Sequence, residues 1–294
     1  MIYDIRQITS YSYASKVSYA RHVLRLTPVD RPGQHVHASA LDIEPVPVGR
    51  REGTDFFGNR MTWIALNAPH DRLVVKVAAR VTVEDIDYHD LFGSPPWEEL
   101  RDAVFMTTDF GPMSPAHFVF PSRQVPLDPE IREYARESFP PGRPVLDGAI
   151  ELMQRIKDDF VYEIGVTTVS TTAPMSFALR RGVCQDFAHI MISGLRGIGL
   201  PAAYVSGYLR TVPKSGAPGL QGADAMHAWV WVWCGKEAGW FGLDPTNAVL
   251  AADDHVVVAI GRDYSDVAPI DGVVFASGGQ HLDVAVSVTP VGTA

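Results

Sequence analysis

Cysteine is scarce in this chain. Its 294 residues hold 2, Cys184 and Cys234. That allows at most one disulfide, and it excludes a small disulfide-stapled scaffold. Basic residues are also outnumbered, 25 Lys and Arg against 34 Asp and Glu, for a net charge of −9. A phosphate backbone or an anionic membrane surface would call for the opposite balance, so neither nucleic acid nor membrane is expected as a partner. No apolar run approaches the roughly 18 residues of a membrane span. The start, Met1-Ile2-Tyr3-Asp4-Ile5-Arg6, lacks the basic-then-apolar order of a secretory leader. The expected compartment is therefore the cytoplasm, where a disulfide would not persist. No internal repeat and no low-complexity block is visible. What remains is a globular composition, 46% hydrophobic and 20% charged, long enough for one large domain or two ordinary ones.

Three regions follow one another. Residues 1–85 read as β, with strand-like runs at Ile2 to Tyr13, Tyr19 to Thr27, Val36 to Ile43, Arg60 to Leu66 and Leu73 to Val83. Turn signals such as Pro28 to Gly33 and Phe57-Gly58-Asn59 separate them, and a β-sandwich is expected. Residues 86–145 are rich in proline, a connection with short helices at Trp97 to Val104 and, after Asp128, at Pro129 to Ser138. Residues 146–294 turn helical and then return to β. Helices are expected at Asp147 to Val161, Met175 to Arg180 and from Cys184 to Gly197. In the third, Phe187, Ala188, Met191 and Leu195 share one face with Cys184. Strands follow at Ala203 to Leu209, His227 to Trp233 and Trp240 to Leu243, with a C-terminal β extension at Val256 to Ile260 and Leu282 to Val288. The fold class is α+β.

The chemistry gathers around Cys184. A thiol at a helix N-terminus meets a partial positive charge that favours the thiolate, the form that attacks. Gly182 permits a tight approach of the backbone before it. His227 and Asp244 fall on two strands joined by a short turn. If they sit directly opposite, Trp231 faces Trp240 and a four-residue loop, Cys234 to Glu237, closes the hairpin. Opposed side chains are about 5 Å apart at Cβ, so the carboxylate can hold the imidazole in one tautomer. Each residue alone has a blander use: a buried thiol, a strand histidine bonded to backbone, an Asp-Pro turn. Together those uses leave a coincidence unexplained.

The blocks Gly182-Val183-Cys184-Gln185-Asp186-Phe187-Ala188-His189, His227-Ala228-Trp229-Val230 and Gly239-Trp240-Phe241-Gly242-Leu243-Asp244-Pro245-Thr246-Asn247 resemble the bacterial transglutaminase-like cysteine enzymes. Softer likenesses at Tyr11-Ser12-Tyr13, Leu24-Arg25-Leu26-Thr27-Pro28 and Asp55-Phe56-Phe57-Gly58-Asn59 resemble the β-rich N-terminal region that accompanies that core. The resemblance implies a papain-like α+β core, a helix bundle packed on an antiparallel sheet. It implies a Cys184, His227, Asp244 triad, acyl transfer through a thioester and no cofactor. It also suggests that Tyr162 lies near the cleft and could assist an oxyanion. The chain departs from the family at Trp231, where an acidic residue is common, and at Gln185, where Arg is common; both bear on substrate choice.

Around the triad, Gln185, Asp224 and Trp229 are candidates for the cleft, with Tyr162 for the oxyanion. His189 is expected to be structural, bonded to a neighbouring strand, and Cys234 inert. A peptide or protein substrate is expected, cleaved or transamidated at a peptide, isopeptide or carboxamide bond, with hydrolysis favoured. The oligomeric state is left open. A catalytically silent scaffold or protein-binding module is the alternative from another class. A metal centre is disfavoured, because zinc wants close-spaced Cys or His pairs and His35 and His37 lie far from the trio.

Overall fold

The computed structural model describes residues 1–84, 93–213, 219–223 and 225–291. Six strands open the chain: β1 (Ile2–Val17), β2 (Tyr19–Leu24), β3 (Gln34–Glu44), β4 (Gly49–Thr54), β5 (Arg60–Leu66) and β6 (His70–Val83). Helices α1 (Trp97–Phe105), α2 (Pro129–Arg136), α3 (Val145–Asp159) and α4 (Ala173–Leu179) follow. The short strands β7 (Val161–Tyr162) and β8 (Arg181–Gly182) flank α4 and precede α5 (Cys184–Gly197). The remainder is β9 (Ala202–Leu209), β10 (His227–Trp233), β11 (Trp240–Asp244), β12 (Val249–Leu250), β13 (His255–Gly261), α6 (Tyr264–Val267), β14 (Ile270–Phe275) and β15 (Gln280–Pro290).

These make two four-stranded sheets, ordered β15-β1-β6-β3 and β14-β2-β5-β4, and a five-stranded antiparallel sheet ordered β12-β11-β10-β9-β13. The first two form the sandwich expected from the sequence, with Leu24, Ile43, Ile64, Leu66, Leu73 and Val75 between them. Of the C-terminal extension grouped by sequence with the core, Val256 to Ile260 joins the five-stranded sheet as β13, but the tail beyond it completes both of the other sheets: β14 pairs with β2 and β15 with β1. An unpaired β1 or β2 would present an open edge, and the chain returns to cover both. The proline-rich connection is not separate either. Trp97, Leu100, Ile131, Tyr134 and Phe139 belong to the same buried cluster as α5 and β10.

Two features position the site. The first is α5, in which every residue from Gln185 to Arg196 is buried. The single apolar face read from sequence is therefore an understatement: α2, α3 and α4 cover one side and β9 and β10 the other. A helix enclosed all round must satisfy its polar side chains internally. Arg196 does so by donating to the carbonyls of Phe118, Phe120, Ala202 and Arg262 and to the Ser122 hydroxyl. The second is β1, whose inward-facing side chains change partner along its length. Tyr3 and Ile5 pack into the helical core, Gln7, Thr9 and Tyr11 line the cleft, and Tyr13 packs against the sandwich core. The alternation of a strand thus ties the sandwich to the cleft wall.

Candidate active site

The start of α5 is built by two short contacts. The backbone N–H of Val183 donates to Asp186 Oδ2 at 2.8 Å, and Thr167 Oγ1 donates to the same oxygen at 2.7 Å. Burial pushes the Asp186 carboxyl up, while these hydrogen bonds oppose the shift. Gly182 is required by closeness rather than by backbone angle: a Cβ there would lie 2.5 Å from Asp186 Oδ2. Cys184, half-buried, is thereby set at the first turn of the helix.

His227 begins β10 and is 1% exposed; Asp244 ends β11 and is wholly buried. His227 Nε2 lies 2.9 Å from Asp244 Oδ2. The pairing that brings them together is not the expected one. Trp231 faces Gly242 and Trp233 faces Trp240, a slip of two residues, so the connecting loop is six residues long, 234–239. Gly235 and Gly239 adopt positive φ, +107° and +73°, and the Cys234 N–H donates to the Gly239 carbonyl at 2.8 Å. Glycine makes that wider loop accessible. Because side chains alternate with period two, the slip leaves Asp244 on the face of His227, reached diagonally.

The Asp244 carboxylate collects five donors. Oδ1 accepts from the N–H groups of Thr246 and Asn247, at 2.9 and 3.3 Å. Oδ2 accepts from His227, from Asn247 Nδ2 at 2.7 Å and from His255 Nε2 at 3.3 Å. Burial alone would raise this carboxyl. The positive His227 and the imidazole hydrogen bonds overcome burial and hold it well below the usual carboxylate range. Conversely, burial alone would lower His227. The charges of Asp244 and then of Cys184 prevail, with hydrogen bonds from both, and raise it to about 10. An ionised carboxylate fixes the proton on His227 Nε2. That leaves Nδ1 as the nitrogen for the Cys184 thiol, with no other partner among the described residues.

Asn247 also holds the segment before His227. Its Oδ1 accepts from the Gln221 N–H at 2.8 Å and its Nδ2 donates to the Gln221 carbonyl at 3.3 Å. Gly222, at φ +84°, then packs against the imidazole; a Cβ there would lie 2.8 Å from His227 Nδ1 and 3.6 Å from the Tyr162 hydroxyl. The Tyr162 hydroxyl and His227 Nδ1 thus both lie against Gly222, the tyrosine carried on β7, which pairs in parallel with β8 just before Cys184. Gln185 lines the cleft and donates to the Val169 carbonyl at 3.1 Å. Trp229 is fully buried and does not line the cleft; it stacks on His227 with centroids 6.3 Å apart. Asp224 lies outside the described residues. His189 accepts from the Tyr264 N–H at the start of α6, not from a strand. It is lowered to about 4, by burial first and by Arg196, with Asp263 opposing. Cys234 is buried rather than at the surface, and burial raises its thiol to about 12.

The cleft has a volume of about 310 Å3. Cys184, Gln185, His227 and Ala228 line it from the catalytic core, and Gln7, Thr9, Tyr11, Leu282 and Val284 from the sandwich. A larger groove of about 760 Å3 lies elsewhere, among Phe56, Phe57, Phe110 and Phe120, and its lining includes neither cysteine. Sequence reasoning missed His255 and the β1 side chains. Neither carries a local motif: His255 enters because β13 pairs with β9 and β9 with β10. Among the described residues no group of three or more His, Cys, Asp or Glu is placed to hold a metal ion. No described helix is long and apolar enough to cross a membrane.

Comparison with known proteins places this geometry in context. Residues 3–82 match the bacterial transglutaminase-like N-terminal region, and residues 132–245 match the transglutaminase-like superfamily. An uncharacterized Mycobacterium tuberculosis protein is 38% identical over 98% of this chain and 92% of its own length. One from Mycobacterium leprae is 32% identical over 96% of each. Among solved structures, a protein from Cytophaga hutchinsonii described as a candidate cysteine protease superposes with a TM-score of 0.72, covering 100% of this chain and 92% of its own at 20% identity. That likeness shows the fold.

Proposed function

The chain belongs to the transglutaminase-like superfamily, and from that premise we propose that it is a thiol-dependent acyl-transfer enzyme working through a Cys184–His227–Asp244 triad. The observation that carries this reading is the state of the imidazole. Its Nε2 is held by Asp244 at 2.9 Å, and among the described residues its other nitrogen has no partner besides Cys184, with which it shares the cleft. An unpartnered second nitrogen is not special by itself, since His189 Nδ1 has none either; what sets His227 apart is that its carboxylate-held ring shares a cleft with a thiol.

In the proposed cycle, Cys184 Sγ gives its proton to His227 Nδ1, forming a thiolate–imidazolium pair, and the sulfur then bonds to the carbonyl carbon of an amide. The carbonyl electrons move onto oxygen, where the Cys184 N–H and the Tyr162 hydroxyl are the proposed donors. The intermediate collapses with cleavage of the C–N bond, and the imidazolium passes its proton to the departing amine. A water then attacks the thioester while His227 takes its proton; the C–S bond breaks, a carboxylic acid leaves and the thiol is restored. A peptide or protein is the proposed substrate and water the favoured acceptor, as the Cytophaga protein's description as a candidate cysteine protease suggests. The proposed compartment is the cytoplasm.

The test uses libraries of peptides and isopeptides, with intact-mass detection of an acyl adduct on Cys184 and of released product. Cys184→Ala should lose adduct and turnover while keeping its unfolding midpoint. Turnover retained by that variant, or a wild-type thiol that iodoacetamide labels no faster than a free model thiol at neutral pH, would refute the proposal.

A further inference from the structure

We propose that His255 is a positioning residue of the triad: it shares the Asp244 carboxylate with His227 and so sets how strongly that carboxylate holds the catalytic imidazole. This rests on the triad reading given under Proposed function, and it extends that reading to a residue eleven positions beyond Asp244 on a different strand.

Three observations support it. His255 is 4% exposed, and among the described residues the single hydrogen bond of its ring runs from Nε2 to Asp244 Oδ2 at 3.3 Å; Nδ1 makes none. The ring's hydrogen-bonding capacity is therefore directed at the triad and not at holding another part of the fold. Second, Oδ2 is oversubscribed. It accepts from His227, His255 and Asn247 Nδ2, while Oδ1 takes two backbone donors. A carboxylate offers about four lone-pair sites, so five donors compete, and charge drawn to one is withdrawn from another. Third, Trp229 fixes the geometry of both imidazoles, stacked on His227 and edge-on to His255 at 5.2 Å and 75°. The ionisable groups around the pair come from separate elements: Asp244 on β11, Cys184 on α5 and Tyr162 on β7. Lys157 on α3 binds the Thr246 carbonyl, and Arg31 and Glu84 line a small cavity with His255 on the side of the sandwich.

The consequence is a moderated base. With His255 donating, Asp244 stabilises the His227 imidazolium less than it otherwise would, and the proton is released more readily to the departing amine. His255→Phe keeps a ring against Trp229 and removes the donor. His255→Gln keeps a donor, since its amide nitrogen reaches about the place of Nε2. His255→Asn cannot reach it.

The experiment measures the rate of Cys184 alkylation by iodoacetamide against pH in the full-length protein. The upper inflection reports loss of the proton shared by the thiol–imidazole pair. We expect it to move up by about half a pH unit or more in His255→Phe and to stay in place in His255→Gln. Should the Phe variant fail to fold, His255→Asn takes its place, with the same upward shift expected. Where a substrate from the peptide libraries is turned over, kcat should fall about 3- to 10-fold in the Phe or Asn variant with KM unchanged. An inflection present in the wild type and identical in folded Phe, Asn and Gln variants would overturn the proposal alone. A wild type with no upper inflection would overturn the triad reading, and this proposal with it.

Discussion

Replacing Asp244 by Asn changes one atom and opposes most of the hydrogen bonding at this site. The carboxylate accepts from Thr246 N and Asn247 N on Oδ1, and from His227, His255 and Asn247 Nδ2 on Oδ2. An amide has one acceptor and one donor end. Whichever way it is turned, its NH2 group meets two or three N–H donors. The size of the loss can be bounded from the imidazole. His227 stands at about 10 against an ordinary 6.5. At 1.36 kcal/mol per pH unit this gap sets a ceiling of about 5 kcal/mol. Breaking a buried ion pair by removing one partner typically costs about 3–5 kcal/mol, in agreement. Because the His227 value is raised, its contribution is complete below about 6.5 and fades as pH rises through about 10. The Asp244 value is lowered, so the same ion pair, seen from its other end, is complete above the ordinary carboxylate value of 3.8 and fails in stronger acid. The difference between wild type and Asp244→Asn, measured by urea unfolding, should therefore be about 3–5 kcal/mol at pH 6. At pH 10.5 it should shrink to the cost of the unpaired donors, about 1–3 kcal/mol. The variant imidazole would be free to carry its proton on Nδ1, facing the thiol. Turnover should then fall by about four orders of magnitude, the scale known for this change in a serine triad. A stability difference that is the same at both pH values, or turnover near the wild-type rate, would refute this reasoning.

Two further substitutions test the surroundings of the triad. Gly222→Ala places a methyl 2.8 Å from His227 Nδ1 at a φ of +84°. Its unfolding free energy should drop by only about 1 kcal/mol, while turnover falls by about 100-fold, the price of a small displacement at the reacting centre; equal turnover in the two proteins would show that Nδ1 is not the working nitrogen. Arg196→Met leaves the carbonyls of Phe118, Phe120, Ala202 and Arg262 without their charged donor. It should cost about 3–5 kcal/mol in urea unfolding, and a loss under 1 kcal/mol would mean that the helix does not depend on that guanidinium.

Much of the fold was legible because periodicity and punctuation are local. The alternation from Leu73 to Val83 lies within β6, and Asp128 followed by Pro129 opens α2, with Asp128 Oδ1 accepting from the Glu130 and Ile131 N–H groups. β4 was missed: five of its six residues are exposed, so no apolar pattern marks it. β14 was missed for a similar reason. Its residues Asp271, Gly272, Val273 and Phe275 are exposed and it is recognised only by its pairing with β2. The hairpin register was misjudged by two residues, because a loop's length depends on positive-φ glycines whose use no spacing rule specifies.

The sequence by itself determined the identity and chain order of Cys184, His227 and Asp244, and the elements that carry them, because helix starts and strand alternation are properties of neighbouring residues. Only the tertiary structure decided which nitrogen of His227 is left for the thiol, that His255 shares the carboxylate, and that β1 and β15 of the sandwich form one wall of the cleft. Those contacts join residues far apart along the chain. They are set by sheet order and by the hydrogen-bonding demands of a buried charge, and both exist only once the chain has closed around it.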